Sequence, residues 1–140
     1  MLPTLRRKRT SFFDRLRRLA TGYPFYVIES PREGTVGFGL MRPYNTYGTF
    51  KRTAELTYFI LPEHTRKGLG LKLLRTLANE GKALGIDNLL AHMSSLNKAS
   101  IDFHRKQGFH ECGRFRNIGR KFGKNFDVLW MQLIINERSD

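Results

Sequence analysis

Apolar and polar residues alternate along the first half of the chain, in short runs rich in β-branched and aromatic side chains. This pattern predicts three strands, over residues 23–29, 35–41 and 53–61. The Glu33-Gly34 pair favours a hairpin between the first two strands. The loop from Arg42 to Gly48 leads into the third strand, which Pro62 ends because proline cannot donate to a sheet.

From about Gly68 the apolar residues change to helical spacing, with leucines along one side of a long helix that Gly85 ends. The elements predicted after it are a strand over 88–93, a helix over 97–107, and strands over 109–115 and 126–135. The stretch from Arg116 to Asn125 is polar and contains glycine, so it predicts a loop between the last two strands.

The N-terminal segment is strongly basic. Adjacent cations from Leu5 to Arg9 repel one another, so residues 1–10 are expected to be flexible. Ser11 and Asp14 suit the start of a helix that runs to Leu19, with an apolar stripe opposite its arginines. We interpret it as a surface helix packed by that stripe, with a membrane-surface or RNA-binding helix as the alternative.

The order of elements predicts the class of fold. It reads helix, three strands, helix, strand, helix and two strands. Strands joined by helices should be parallel through right-handed crossovers, and strands joined by turns antiparallel. We therefore expect a single α/β domain of the α+β type over residues 11–140, built on a mixed sheet.

Composition and charge narrow the class of protein. No apolar run approaches the roughly 20 residues that a membrane span needs. The single cysteine, Cys112, excludes an internal disulfide framework and fits a reducing cytosol, so we expect a cytoplasmic protein without a membrane partner. The net charge of +13 attracts polyanions, which include nucleic acid, anionic lipid and phosphorylated cofactors.

The segment Arg66-Lys67-Gly68-Leu69-Gly70 lies between a predicted strand and the long helix. Its glycines let a ligand approach the backbone, and the helix N-terminus adds unpaired N–H donors. Arg66, Lys67 and Lys72 add full charges. These features fit a pyrophosphate cradle, although the segment is neither a Walker loop nor the three-glycine dinucleotide fingerprint. The alternative is that the glycines merely begin the helix.

The cradle segment resembles the Arg/Gln-x-x-Gly-x-Gly/Ala motif of the GNAT superfamily of N-acetyltransferases. Gly68 and Gly70 align with the two glycines, whereas Thr65 stands where that motif has Arg or Gln. The resemblance spans roughly Phe12 to Leu133, and the family's usual first strand is missing from it. It implies a GNAT-like, mostly antiparallel sheet flanked by helices.

Two downstream segments resemble the phosphinothricin-acetyltransferase branch of this superfamily. One is Asn97-x-x-Ser100-(x)3-His104-(x)3-Gly108-Phe109, and the other is Gly119-x-Lys121-x-Gly123-(x)3-Asp127. The resemblance implies acetyl-CoA as cosubstrate and direct transfer in a ternary complex, without a metal or a covalent acyl-enzyme. Lys121 and Asp127 would then shape the acceptor pocket; the alternative is a solvated pair across a turn.

The resemblance also assigns catalytic residues. Glu55 would be the general base that takes a proton from the acceptor ammonium, and otherwise it is a strand glutamate paired with Lys or Arg. His104 stands where many relatives carry a tyrosine that protonates the departing thiolate. A residue that titrates near neutrality suits that role, and the alternative is a histidine that packs locally.

Further residues are implied in binding coenzyme A. They are Phe59, Ile60, Leu61, Arg66, Lys67, Gly68, Leu69, Gly70, Lys72 and Asn97. A backbone N–H of Phe59 or Leu61 would stabilise the oxyanion. Asn97 would either bind the pantetheine arm or cap the helix that it begins, and both roles are compatible.

The acceptor implied by the branch is the primary amine of a small amino-acid-like molecule, in a pocket built by the 42–48 and 116–125 loops. The alternatives are a protein or peptide N-acetyltransferase, and a non-catalytic RNA- or membrane-associated protein with this fold. Nucleic acid is disfavoured because aromatic-rich single-strand motifs are absent from the sequence. Without the first strand, residues 23–28 would form a bare sheet edge, so we expect a homodimer.

Overall fold

A computed structural model describes residues 2–7 and 22–138. The strands in these ranges are β1 (Thr4–Arg7), β2 (Phe25–Ser30), β3 (Gly34–Pro43), β4 (Thr53–Ile60), β5 (Asn88–Ser94), β6 (His110–Lys121) and β7 (Lys124–Ile134). The α-helices are α1 (Leu69–Ala83) and α2 (Lys98–Lys106), and short 3-10 turns lie at Gly48–Phe50 and Pro62–His64. The expected helix from Ser11 to Leu19 lies outside the described residues.

The strands form one sheet in the order β1-β2-β3-β4-β5-β7-β6. Neighbouring strands are antiparallel except β4 and β5, which α1 connects. The predicted mixed, mostly antiparallel sheet is therefore confirmed. Neither described helix has the length and hydropathy required to cross a membrane.

The expectation that the first strand is missing is wrong. Thr4–Arg7 pairs antiparallel with β2, and Thr4 lies opposite Glu29. Charge repulsion suggested a frayed segment, but the cations find acidic partners: Arg6 is 3.5 Å from Glu29 and Arg7 is 3.5 Å from Glu80. The bare edge on which the homodimer was predicted is therefore covered by the chain itself. The boundary at residue 10 between a flexible N-terminus and the domain stays a prediction.

Both helices pack on the same face of the sheet, which we call the helix face. Four leucines of α1 form the main core there with Met41, Leu56, Leu89 and Met131, and all of these residues are buried: Leu69, Leu73, Leu74 and Leu77. Full burial of each such side chain contributes about 1.5–3 kcal/mol. The opposite face, which we call the acceptor face, carries a smaller cluster of Phe25, Val27 and Leu40.

The last two strands are longer than predicted. Residues 116–121 continue β6, and β7 begins at Lys124, so the expected 116–125 loop is instead a hairpin that turns at Phe122-Gly123. A bulge between Phe115 and Gly119 interrupts the register. Nearly all side chains of β6 are exposed, so the strand lacks the apolar alternation by which strands are recognised in a sequence.

Candidate active site

β4 and β5 run side by side over only three residues. Their parallel pairing extends from Thr53–Asn88 to Glu55–Leu90. Beyond that point β4 stays paired with β3 and β5 stays paired with β7, so the two strands separate. We call the opening between Leu56–Ile60 and Ala91–Ser94 the fork. It interrupts the sheet at its centre and leaves backbone groups of both strands available to a ligand.

Hydrogen bonding on the β3 side decides which groups of β4 face the fork. Leu61 donates its N–H to Val36 at 2.9 Å, and Tyr44 donates to Thr53 at 3.3 Å. Because antiparallel pairs alternate between bonded and non-bonded, the backbone of Phe59 also faces β3. Tyr58 and Ile60 therefore direct their N–H and C=O toward the fork. The N–H groups of Phe59 and Leu61, which were the hypothetical oxyanion donors, therefore face β3 and not the fork.

The predicted pyrophosphate cradle lies at the N-terminus of α1. Gly68 is the N-cap in a left-handed conformation (φ 79°), and the first helical hydrogen bond runs from Lys72 N–H to Gly68 C=O at 3.0 Å. The N–H groups of Leu69, Gly70 and Leu71 precede that bond and so have no partner within the helix. They add the positive end of the helix dipole to the exposed cations Arg66, Lys67 and Lys72.

Gly70 joins the cradle to the mouth of the fork. A Cβ at this position would lie 3.7 Å from Phe103 and 3.8 Å from Ile60, which are ordinary contact distances. The protein therefore leaves room there, while Gly68 is required by its positive φ. The absence of a side chain at Gly70, the first-turn N–H donors and three cations suit a pyrophosphate whose attached arm enters the fork.

The loop that leads into the cradle is tied down at several points. Thr65, which stands in place of the usual Arg or Gln, donates its hydroxyl hydrogen to Pro62 C=O at 2.8 Å. Its side chain therefore stabilises the loop. His64 is buried and lies 2.9 Å from Glu33 in the β2–β3 turn. Arg66 has a positive φ of 62°, a conformation that costs a non-glycine residue roughly 1–2 kcal/mol.

Glu55 lies at the vertex of the fork, on the acceptor face. It is 8% exposed, and its Oε2 is 3.4 Å from Nε of Arg42, its cross-strand partner on β3. That Nε is buried and has no hydrogen-bond partner among the described residues. A buried donor without a partner is uncommon in proteins and calls for an explanation. Sequence reasoning missed Arg42, although the β3–β4 register would have placed it opposite Glu55.

His104 lies on the helix face, within a shell of hydrogen bonds and aromatic rings. Its Nδ1 is 2.6 Å from the carbonyl of Ser100, and its Nε2 contacts the hydroxyl of Tyr58 on β4. Because Nδ1–H donates to the carbonyl, Nε2 carries no proton and accepts from Tyr58. Phe103 and Phe109 pack edge-on against the imidazole, with centroid distances of 5.3 and 5.0 Å.

Burial keeps both members of the Tyr58–His104 pair neutral. It lowers the pKa of His104, although the hydrogen bond to Ser100 C=O opposes this shift. Burial also raises the pKa of the Tyr58 hydroxyl. Both nitrogens of His104 are engaged, so any proton that His104 passed to another group at Nε2 would pass through Tyr58. Tyr58 is the second functional residue that sequence reasoning missed, because a tyrosine within a strand gives no distinct signal.

The remaining predicted residues have local partners. Asn97 caps α2 by accepting the N–H of Ser100 at 3.1 Å, which confirms the capping role and leaves its amide exposed. Asp127 accepts the N–H of Asn117 at 2.8 Å and a hydrogen bond from Arg114 at 2.9 Å, and these two donors lower its pKa. Asp127 therefore holds the β6 bulge, whereas Lys121 lies over the ring of Phe122.

Comparisons with known proteins agree with this arrangement. The sequence model of the acetyltransferase (GNAT) family matches residues 3–109. The chain is 34% identical over 124 residues to the L-amino acid N-acyltransferase MnaT of Escherichia coli K12, covering 88% of this chain and 71% of that protein. It is 32% identical over 125 residues to the L-methionine sulfoximine/L-methionine sulfone acetyltransferase of Pseudomonas aeruginosa PAO1, covering 89% and 72%.

A solved structure shows the same fold. The Salmonella typhimurium protein yncA, determined with its cofactor acetyl-CoA, superposes with a TM-score of 0.78 at 31% identity over 92% of this chain and 73% of that one. Relatives named phosphinothricin N-acetyltransferase also match, at 29–31% identity. The chain therefore belongs to the acetyltransferase (GNAT) family, in its phosphinothricin-acetyltransferase-like branch, and as a member of that family it is an acetyl-CoA-dependent N-acetyltransferase.

Proposed function

We propose that the enzyme acetylates the α-amino group of a small amino-acid-like acceptor bound on the acceptor face. The Arg42–Glu55 pair carries this proposal, because a cation and an anion on neighbouring strands match the carboxylate and ammonium of a zwitterion. The Nε of Arg42 is ion-paired with Glu55 but has no hydrogen-bond acceptor among the described residues, so it would donate to that carboxylate. Relatives named for L-amino acids and for methionine sulfone or sulfoximine support the same class of acceptor.

The donor enters from the opposite side of the sheet. In this proposal the cradle at Gly68–Gly70 binds the pyrophosphate, and the pantetheine arm lies in the fork beside Tyr58 and Ile60. The arm would pair with the backbone of β4 in the place that β5 leaves open. The exposed Arg66, Lys67 and Lys72 would neutralise the phosphates of acetyl-CoA.

Reaction would take place at the vertex, where both substrates meet in a ternary complex. Glu55 removes a proton from the acceptor ammonium, and the free amine attacks the thioester carbonyl. The N–H of Tyr58 or Ile60 faces the fork and stabilises the oxyanion that forms. The carbon–sulfur bond then breaks, its electron pair leaves with sulfur as a thiolate, and the nitrogen of the new amide releases its second proton to solvent.

We assign the protonation of that thiolate to the Tyr58–His104 pair. A solvent proton taken up on Nε2 of His104 reverses their hydrogen bond, so that Nε2 donates to the Tyr58 oxygen. Sulfur then takes the Tyr58 proton while Tyr58 takes the proton of Nε2, and His104 returns to its neutral form. The lowered pKa of His104 makes its protonated form a stronger acid than free histidine.

The decisive experiment compares acceptors that differ only in the carboxyl group. L-methionine sulfone, its carboxamide and the corresponding amine without the carboxyl group are assayed for acetylation by following coenzyme A release. We expect kcat/KM to fall in that order, and Arg42→Gln to lower it by about 10- to 100-fold more for the free acid than for the other two acceptors, which share any effect of the substitution on Glu55. Arg52→Gln is the matched control, since Arg52 is also 3.4 Å from a carboxylate, that of Asp87, which lies away from the fork.

Equal rates with the acid and the carboxamide would contradict recognition of a free amino acid. Acetylation of dipeptides in preference to both would favour the alternative of a peptide N-acetyltransferase. No turnover with any amine, together with an unshifted melting temperature at millimolar acetyl-CoA, would favour a binding protein. Cytoplasmic location stays a prediction that rests on the single cysteine, which is exposed.

We also propose that the enzyme forms a homodimer, now through β6 instead of β2. β6 is the outer strand of the sheet, and Phe115, Ile118 and Phe122 on the β6–β7 hairpin are 55%, 56% and 93% exposed. A long outer strand with exposed apolar residues can pair with another chain. A second copy would cover these residues and complete the edge.

A further inference from the structure

Three side chains of β4 lie at successive depths along the helix-face side of the fork. Ile60 lies at the mouth beside the open position of Gly70. Tyr58, two residues along, contacts His104. Leu56 follows at the vertex, next to the last residue of β4 that pairs with β5. Because a strand rises about 3.3 Å per residue, each of these side chains lies at a different depth along the path of an arm that enters from the cradle.

A small cavity lies at the deep end of this path. Its volume is about 110 Å³, and its lining includes Leu56, Tyr58 and His104 on one side and Ala91 on the other. Leu56 and Ala91 come directly after the last paired residues of their strands. Pockets for whole ligands usually measure about 300–1,000 Å³, so this one has room only for the reacting end of a donor.

The wall formed by Tyr58 and His104 is rigid. Their rings stack at 5.6 Å and 17°, and their hydrogen bond is backed by the bond from Nδ1 to Ser100 C=O. Edge contacts with Phe103 and Phe109 leave His104 2% exposed. A packed interior of this kind yields little to an oversized group. The other exit passes Thr57 and His92 to the acceptor face, where the amine has to bind.

We infer that Tyr58, backed by His104, sets the length of acyl group that the enzyme accepts, so that acetyl and propionyl groups fit and longer chains are rejected. This inference rests on the proposed function, since it places the thioester in the fork. One methylene in a close-fitting pocket changes specificity by about 10- to 200-fold. Butyryl is one methylene longer than the groups that fit, so its kcat/KM should be at least about 10-fold below that of acetyl.

The test measures acetyl-, propionyl-, butyryl- and hexanoyl-CoA against one acceptor, with wild type, Tyr58→Val and Tyr58→Phe. Tyr58→Val removes the ring, so we expect the acetyl-to-butyryl ratio to fall at least about 10-fold. Tyr58→Phe keeps the ring but loses the relay hydroxyl. Its ratio should stay within about threefold of wild type even though its turnover falls.

A second variant keeps the inference testable if Tyr58→Val does not fold. Ala91→Val narrows the opposite wall and should raise the acetyl-to-propionyl ratio. Dissociation constants of the same four acyl-CoAs, measured by calorimetry without acceptor, should follow the same order. They separate this inference from the acceptor proposal, because chain-length discrimination in binding would persist even if no amino acid were acetylated.

Two results would overturn the inference. One is a wild-type enzyme that binds and transfers hexanoyl groups as well as acetyl groups. The other is an equal change of ratio in Tyr58→Val and Tyr58→Phe, which would show that the hydroxyl and not the ring is responsible.

Discussion

Substituting alanine for Gly70 should stabilise the protein and weaken acetyl-CoA binding at the same time. Gly70 is the second residue of α1, and glycine within a helix costs about 0.5–1 kcal/mol relative to alanine. The added Cβ meets Phe103 and Ile60 at 3.7 and 3.8 Å, so no steric cost offsets this gain. For a chain of 140 residues, the gain corresponds to a rise in melting temperature of about 2–4 °C.

The loss of affinity has a different origin. The same Cβ occupies space at the mouth of the fork, where the proposed function has the pyrophosphate approach the first-turn N–H groups. A hydrogen bond to a charged group contributes about 1.5–3 kcal/mol. Losing one such bond should therefore raise the dissociation constant of acetyl-CoA by about 10- to 100-fold.

Gly81 provides the matched control, because it lies in the same helix about three turns further along. A Cβ there would lie 2.7 Å from Cε of Met41, which is fully buried. Overpacking costs about 1–3 kcal/mol, which exceeds the helical gain. We therefore expect Gly81→Ala to lower the melting temperature and leave acetyl-CoA affinity unchanged.

Thermal melts and calorimetric titrations of both variants decide the matter. A Gly70→Ala protein that binds acetyl-CoA as tightly as wild type would remove Gly70 from the cradle. One that melts below wild type would refute the open space inferred at this position.

Three further predictions follow from the site and the sheet. Glu55→Gln should lower turnover by about 100- to 10,000-fold and change the dissociation constant of acetyl-CoA by less than about threefold; a loss below threefold across pH 6–9 would exclude Glu55 as the base. Because burial lowers the pKa of His104, the folded state resists its protonation, so stability should decline as pH falls below about 6.5. Thermal melts of the wild type should show this decline. The part of the decline that comes from His104 should be absent from melts of His104→Asn. Light scattering at micromolar concentration should give a dimer that Phe122→Lys weakens, whereas a monomeric, fully active wild type would refute the dimer.

The parts of the site that are predictable from the sequence are those determined by residues close together in the chain. The glycines of the cradle, the long helix and the Asn97 cap each depend on residues within one or two turns, and the structure has them within two residues of the prediction. The roles assigned to Glu55 and His104 stay predictions. The resemblance supplied those roles, and the pattern of the chain supplied only their elements.

Features that depend on distant partners escaped prediction. The strand Thr4–Arg7 looked like a repelling run of cations, because its partners Glu29 and Glu80 lie far along the chain. Residues 116–125, at the end of the β6–β7 hairpin, looked like a loop because the side chains of β6 are exposed on both sides. Tyr58 gained a role only when α2 brought His104 against it, across 46 positions of sequence.

Alternation along β4 explains how one strand can serve both substrates. Its odd-numbered residues, including Glu55, point to the acceptor face, and its even-numbered residues, including Tyr58, point to the helix face. The separation of β5 opens a passage between these faces immediately after Glu55. In the proposed mechanism, a proton would thus be removed from the acceptor on one face and delivered to the leaving thiolate on the other. The proposed base and relay therefore stay apart, because Glu55 forms an ion pair with Arg42 on one face of β4 and Tyr58 forms a neutral pair with His104 on the other.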